Sequence, residues 1–230
     1  MYLFNSTYMI YMLPAFILML VTQWYVSSSY RKWSKVPNRN RLSGAEAAQR
    51  LIRNSGLYDV QIEGVAGNLT DHYDPRQKVL RLSQGVYQSQ SVAAVAIAAH
   101  ELGHAMQDRE DYFPLRLRAA LVPAVNIGSM LGWILIFIGL LIQSTGLAGL
   151  GLIIFAVGAL FALATLPVEL NASARAKRLL TETGLITGED ERRGVNQVLN
   201  AAALTYVAAL ITAVMQVLYF GSMIFGGRRR

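Results

Sequence analysis

Four long apolar stretches constrain the fold of this chain more than any other feature of its sequence. They lie at residues 3–26, 119–142, 147–168 and 201–225. Each is long enough to cross about 30 Å of hydrocarbon as an α-helix. The chain has 53% hydrophobic and only 15% charged residues, a composition unlike that of an ordinary soluble domain. We therefore predict four membrane-spanning helices, the first of them a retained signal anchor because no small-residue cleavage site follows it.

The basic residues predict how these helices are oriented. Residues 27–118 hold 13 of the 21 Lys and Arg, residues 171–200 hold five, and the short turn 143–146 holds none. Under the positive-inside rule the two polar segments face the cytoplasm, and the N-terminus and the turn face outward. The net charge of +7 therefore favours a membrane protein over a nucleic-acid-binding one. Arg228, Arg229 and Arg230 depart from the rule, since four spans would place them outside.

An HExxH motif interrupts the alanine-rich apolar run 92–107, where His100, Glu101 and His104 appear together. Residues four apart lie on one face of a helix, so the two imidazoles can bind a single Zn²⁺ while Glu101 holds a water. An apolar helix accepts ionisable groups poorly unless they have a partner. The motif therefore predicts one Zn²⁺ per chain.

A small antiparallel sheet of two or three strands is expected between residues 60 and 82, where apolar positions alternate on both sides of a turn at 74–76. An exposed edge of this sheet could accept a substrate backbone as an added strand, or the hairpin could serve only as scaffold. His72, the remaining histidine, lies in this hairpin. It is a candidate metal ligand, a candidate oxyanion or substrate donor, or a surface residue.

Two histidines and a water leave zinc one protein ligand short. Glu169 is our first choice, because a carboxylate placed directly after a long apolar segment needs a partner. His72 is the second choice. Asp108 shares the face of His104, but HExxHxxxD is not a common ligand set.

Four segments of the chain, HELGHAMQ, LTDHYDPRQKVLRLS, LPVELNASARA and AAALTYVAAL, resemble the YugP-like neutral zinc metallopeptidases. The resemblance runs over nearly the whole chain. It implies an integral-membrane bacterial zinc peptidase, distantly similar to the HtpX-like gluzincins, whose third ligand is a Glu on a later helix. The corresponding residue here is Glu169.

One departure from the HtpX-like pattern concerns the residue that orients a ligand. Those enzymes carry an Asp four residues after the glutamate, and Ser173 stands at that position here. Ser173 shares the helical face of Glu169 and is a candidate for this role, as are Asn171 and Arg175.

The predicted reaction is peptide hydrolysis by zinc-activated water, with Glu101 as the general base. His72, Tyr73 and Arg175 remain open as donors to the oxyanion. The substrates would be membrane or membrane-proximal polypeptides, cleaved at the cytoplasmic face of the plasma membrane.

The predicted fold is a mainly α membrane protein with a small cytoplasmic α+β zincin-like part. Its segments are an N-terminal anchor (1–26), a metallopeptidase region (27–118), a transmembrane hairpin (119–168), a third-ligand segment (169–200) and a C-terminal span with a basic tail (201–230). The alternative is a non-catalytic membrane scaffold in which zinc holds the cytoplasmic segments together. It would need a fourth protein ligand such as His72 or Asp108. A transporter is poorly supported, because the spans contain no charged residue.

Overall fold

The structure, a computed structural model, describes residues 6–226 and is mainly helical. In chain order its elements are α1 (Ser6–Trp33), α2 (Gly44–Ser55), β1 (Gln61–Val65), β2 (His72–Asp74), β3 (Val79–Ser83), α3 (Gln84–Tyr87), α4 (Val92–Arg109), α5 (Phe113–Leu141), α6 (Thr145–Phe155), α7 (Val157–Glu182) and α8 (Glu189–Gly226). The predicted class, mainly α with a small sheet, is confirmed.

Four helical segments are long and apolar enough to cross a membrane: Ser6–Trp33, Phe113–Leu141, Thr145–Glu182 and Glu189–Gly226. The third comprises α6 and α7, which are separated only by Ala156. Every segment extends past the predicted apolar stretch, because polar residues continue the helix at one or both of its ends. The basic tail 228–230, expected outside the cell, lies beyond the described residues.

One compact unit contains residues 6–22, 113–167 and 205–226. Within it α5 and α6 pack closely through glycines. A Cβ added to Gly132 would lie 2.7 Å from the backbone nitrogen of Phe155, and one added to Gly151 would lie 2.6 Å from that of Ile136. Both distances are below van der Waals contact, so these positions need glycine. Such small-residue packing is typical of helices in lipid.

The second unit contains residues 23–112 and 168–204, and α4 runs through its core. Most of the alanines of α4 are buried, which explains why the helix that carries the HExxH motif is so apolar. Ser43 and Glu46 form a capping box at the start of α2: the Ser43 N–H donates to Glu46 at 2.7 Å, and the Glu46 N–H donates to Ser43 at 3.2 Å. Gly56 ends that helix with a φ of 70°.

The sheet has three strands in the order β1-β3-β2 and is mixed. The β2–β3 hairpin is antiparallel as predicted, but β1 pairs with β3 in parallel. The expectation of a wholly antiparallel sheet was wrong on this pair. Alternating apolar residues predict that a strand forms but not the direction in which it pairs. The central position of β3 agrees with its burial, since Val79, Leu80 and Leu82 are all buried.

Candidate metal centre

Helix α4 presents the HExxH residues from within the core of the second unit. Its N-terminus is capped by the Ser91 hydroxyl, which accepts a hydrogen bond from the Ala94 N–H at 3.2 Å. One turn apart on this helix, the His100 and His104 rings lie edge to face, with centroids 4.9 Å apart. Glu101 is half-buried beside them. The sequence spacing therefore produces the expected pair of neighbouring imidazoles.

Helix α7 brings Glu169 to these two histidines. Its Oε2 lies 3.2 Å from His100 Nε2 and 3.6 Å from His104 Nε2, and the side chain is only 3% exposed. One ligand atom from each of the three residues lies within 4.8 Å of the others. The candidate third ligand and the two histidines thus converge, although His104 and Glu169 are 65 positions apart in the sequence.

The spacing of these three atoms fits a zinc ion. Zinc holds nitrogen and oxygen ligands at about 2.0–2.1 Å, which places neighbouring ligand atoms of a tetrahedral site about 3.3 Å apart. The distances of 3.2 and 3.6 Å from Glu169 to the imidazoles match that value. Two neutral imidazoles and one carboxylate are also the ligand types that Zn²⁺ takes in catalytic sites.

The other ring nitrogen of each histidine already has a partner. His100 Nδ1 lies 3.1 Å from the Ser173 hydroxyl, and His104 Nδ1 lies 3.0 Å from the Gln107 side-chain oxygen. Metal-binding histidines commonly use their second nitrogen in this way, which fixes the ring and its tautomer. Both Nε2 atoms are therefore the ones directed at the candidate metal position.

Gly103 allows α4 and α7 to approach each other at this site. A Cβ on Gly103 would lie 2.6 Å from the Ala172 carbonyl oxygen, well inside van der Waals contact. The glycine within the motif therefore has a steric function: it admits the backbone of the helix that carries Glu169.

Gln107 was not singled out from the sequence, yet it is fully buried and hydrogen-bonded on both sides of its amide. Its nitrogen donates to the Val168 carbonyl at 2.8 Å and to Asn171 Oδ1 at 2.9 Å. These two acceptors fix the amide so that its oxygen faces His104. The available signal was its position three residues after His104, on the same side of α4.

The candidate orienting residues differ in their distance from the histidines. Ser173 contacts His100 directly. Asn171 lies one step further out and accepts from Arg175 Nε at 2.7 Å as well as from Gln107. The Arg175 guanidinium also donates to Glu110 at 2.7 Å. Asn171 and Arg175 are thus connected to His104 through the Gln107 amide.

His72 and Asp108, the alternative ligands, lie outside the three-residue group. His72 is exposed on β2, with Nδ1 2.9 Å from the Thr70 carbonyl oxygen. Asp108 instead accepts from the Tyr73 hydroxyl at 2.9 Å and from Lys78 at 2.7 Å. Burial and the hydrogen bond to Asp108 raise the pKa of Tyr73, so its hydroxyl stays protonated.

The electrostatics of the site favour a cation. Burial acts to lower the pKa of His104, but its hydrogen bond to Glu169 and the negative charges of Glu101 and Glu169 outweigh that effect and hold the pKa above its ordinary value. A buried carboxylate between two imidazoles attracts a proton or a metal ion.

The fold and the site together define a membrane protein with a candidate metal centre formed by two histidines and a glutamate. The family described as "putative neutral zinc metallopeptidase" matches residues 8–225, and the chain belongs to this family. It is 46% identical over 206 residues to the "putative membrane protease YugP" of Bacillus subtilis (strain 168), covering 90% of this chain and 91% of that protein. No solved structure matches the chain significantly.

Proposed function

We propose that this protein is a zinc-dependent endopeptidase with one Zn²⁺ per chain, held by His100, His104 and Glu169. The observation that carries the proposal is the convergence of their three ligand atoms, with each second imidazole nitrogen already engaged. The family membership supports both the metal and the reaction class.

Zinc, when bound, would act as a Lewis acid and lower the pKa of a water toward about 7. Glu101 is the proposed general base. Its carboxylate, next to His100 on the same turn of α4, would accept a proton from the attacking water and pass it to the nitrogen of the leaving amine. His72, Tyr73 and Arg175 were candidates for the oxyanion donor. Among these, Tyr73 and Arg175 already donate to Asp108 and Glu110, while His72 is exposed.

The number of ligands favours an enzyme over a scaffold. Within residues 6–226, the side chains grouped closely enough to hold a metal are three: His100, His104 and Glu169. Structural zinc sites usually have four protein ligands, whereas catalytic sites have three and keep one position for water or substrate. A three-ligand site is therefore expected to be catalytic.

We propose the cytoplasmic face of the plasma membrane as the location of the site. The basic residues of 27–118 and 171–200 support this orientation. The substrates would be membrane or membrane-proximal polypeptides, since the site belongs to a chain with four candidate spans.

We further propose that β2 receives the substrate as an extended strand. β2 is an edge strand of the sheet, and it pairs with β3 along one side. Its Tyr73 is tied to Asp108 on α4, four residues past His104, which fixes this edge to the metal helix. A peptide whose backbone N–H groups are methylated should then be a poor substrate, because it cannot form the ladder. Equal cleavage of the methylated and unmethylated peptides would exclude this mode.

The decisive experiment compares Glu101→Gln with the wild type and with Glu182→Gln, an exposed glutamate on α7. Zinc content and cleavage of membrane proteins by the purified full chain are measured together. Glu101→Gln should abolish cleavage with zinc near one per chain, and Glu182→Gln should cleave normally. Retained cleavage in Glu101→Gln would exclude the proposed mechanism.

A further inference from the structure

We infer that Gln107 is a positioning residue of the metal centre, setting the tautomer of His104 and holding the Glu169 segment of α7 against α4. The inference rests on the proposed zinc site. It goes beyond that site because Gln107 is not one of the proposed ligands or the proposed base, and because it assigns a function to a connected chain of polar groups.

The partners of the Gln107 amide determine the direction of its hydrogen bonds. The Gln107 nitrogen faces two oxygens, the Val168 carbonyl at 2.8 Å and Asn171 Oδ1 at 2.9 Å. Only the NH₂ end of an amide can donate to both. Its oxygen must then be the atom 3.0 Å from His104 Nδ1, so the imidazole donates from Nδ1. The Nε2 lone pair is left for a metal.

Asn171 and Arg175 in turn fix the orientation of Gln107. Asn171 Oδ1 also accepts from Arg175 Nε at 2.7 Å, which determines which end of the Asn171 amide faces Gln107. Arg175 is in turn held by Glu110 at 2.7 Å. Each amide orientation is therefore determined by its neighbours, from the half-exposed Glu110 inward to His104.

Gln107 also connects the helices α4 and α7. Gln107 lies on α4 three residues after His104, and it binds α7 on both sides of Glu169, at Val168 and Asn171. A single buried side chain thus connects the second histidine to the segment that carries the carboxylate. Loss of such an outer partner typically weakens metal binding about 10–100-fold.

The two histidines are supported unequally. His100 meets the Ser173 hydroxyl, whose proton can rotate between donor and acceptor arrangements. His104 contacts the Gln107 amide, which has one permitted orientation. The tautomer of His104 is therefore the more strongly determined, and Gln107 is expected to matter more than Ser173.

The test measures the zinc dissociation constant of the purified full chain in detergent, by chelator competition, for Gln107→Met, Asn171→Ala and the double variant. Gln107→Met keeps the length of the side chain but removes its polar groups, and should weaken zinc binding about 10–100-fold. Asn171→Ala should weaken it less. The double variant should equal Gln107→Met, because Asn171 acts through Gln107. Arg109→Met, at an exposed position on the same turn of α4, is the matched control and should bind zinc like the wild type.

A purely structural role for Gln107 predicts something different. Gln107→Met would then melt earlier after chelation while its folded molecules bound zinc normally. ¹⁵N NMR of the three histidines gives a further readout, since the zinc-loaded wild type should show His104 protonated at Nδ1 and Gln107→Met should lose that hydrogen-bonded signal.

Unchanged zinc affinity in Gln107→Met, or full additivity with Asn171→Ala, would overturn the inference. Should Gln107→Met fail to fold, Asn171→Ala decides alone, and wild-type affinity in that variant overturns it. A wild type that binds no zinc would overturn the proposed function as well. A wild type that binds zinc beside an unaffected Gln107→Met would overturn only the positioning role.

Discussion

The α4–α7 pair and the α5–α6 pair both approach through a glycine, and they differ in what surrounds the approach. Between α4 and α7 a Cβ on Gly103 would lie 2.6 Å from the Ala172 carbonyl oxygen. Between α5 and α6 a Cβ on Gly132 would lie 2.7 Å from the Phe155 nitrogen. The second approach is lined by apolar groups, whereas the first is flanked by polar ones, including the buried Gln107 amide.

The difference shows what close packing achieves in each place. Apolar contacts between α5 and α6 tolerate small rearrangements, since no hydrogen-bond direction is at stake in them. Polar contacts between α4 and α7 fix distances and directions, which a metal site needs to within a few tenths of an ångström. Damage to the α5–α6 pair should therefore cost stability alone, and damage to the α4–α7 pair should also weaken zinc binding.

The largest expected effect is that of Glu169→Gln. The amide removes the negative charge between the two imidazoles and is a weak zinc ligand. Zinc affinity should therefore fall further than on loss of an outer partner, which typically weakens metal binding about 10–100-fold. Chelator competition measures the dissociation constant, with Glu182→Gln on the same helix as control. Zinc binding at wild-type affinity in Glu169→Gln would remove this residue from the ligand set.

The paired glycine variants test the comparison most directly. Gly103→Ala and Gly132→Ala each force a methyl group into backbone atoms, which should destabilise the protein by about 1–3 kcal/mol. Only Gly103→Ala should also weaken zinc binding, because it separates α4 from the Glu169 segment. Gly158→Ala is the control, since nothing lies within 4 Å of an added Cβ there. Thermal unfolding in detergent and zinc titration are compared for all three.

An equal loss of zinc affinity in Gly103→Ala and Gly132→Ala would contradict the comparison. It would mean that the metal centre responds to destabilisation in general and not to the local spacing of α4 and α7.

The sequence predicted the parts of this molecule that follow from repeated patterns. Long apolar runs predicted the four candidate spans, and the spacing of His100 and His104 predicted neighbouring imidazoles. Ser173 was singled out because the resemblance implies an orienting residue four positions after Glu169, on the same helical face. Gln107 was missed because a single buried amide belongs to no repeat, and its partners come from a helix more than 50 residues away. The parallel β1–β3 pair was missed because alternation does not encode strand direction.

A smaller effect is expected for Ser173→Ala. His100 would lose its Nδ1 partner, but a neutral hydroxyl at 3.1 Å constrains the ring less than the Gln107 amide constrains His104. Zinc affinity should fall by about 10-fold, near the lower end of outer-partner effects. The same titration measures it, with Ser55→Ala on α2 as a hydroxyl-loss control. A loss larger than that of Gln107→Met would reverse the proposed ranking of the two histidines.

The smallest expected effect is a pH dependence whose sign differs with and without zinc. The pKa of His104 is held above its ordinary value, because its hydrogen bond to Glu169 and nearby negative charge outweigh burial. A raised pKa stabilises the protonated, chelator-treated protein fully below the unfolded value of about 6.5, and that stability is lost as pH rises through the folded pKa. Zinc binds the neutral form of His104, so zinc binding strengthens as pH rises over the same range.

Melting temperatures from pH 6 to 9 should therefore fall in chelator and rise in excess zinc. In Glu169→Gln the fall in chelator should flatten, because the carboxylate that raises the pKa is gone. Parallel curves with and without zinc would show that His104 does not bind the metal.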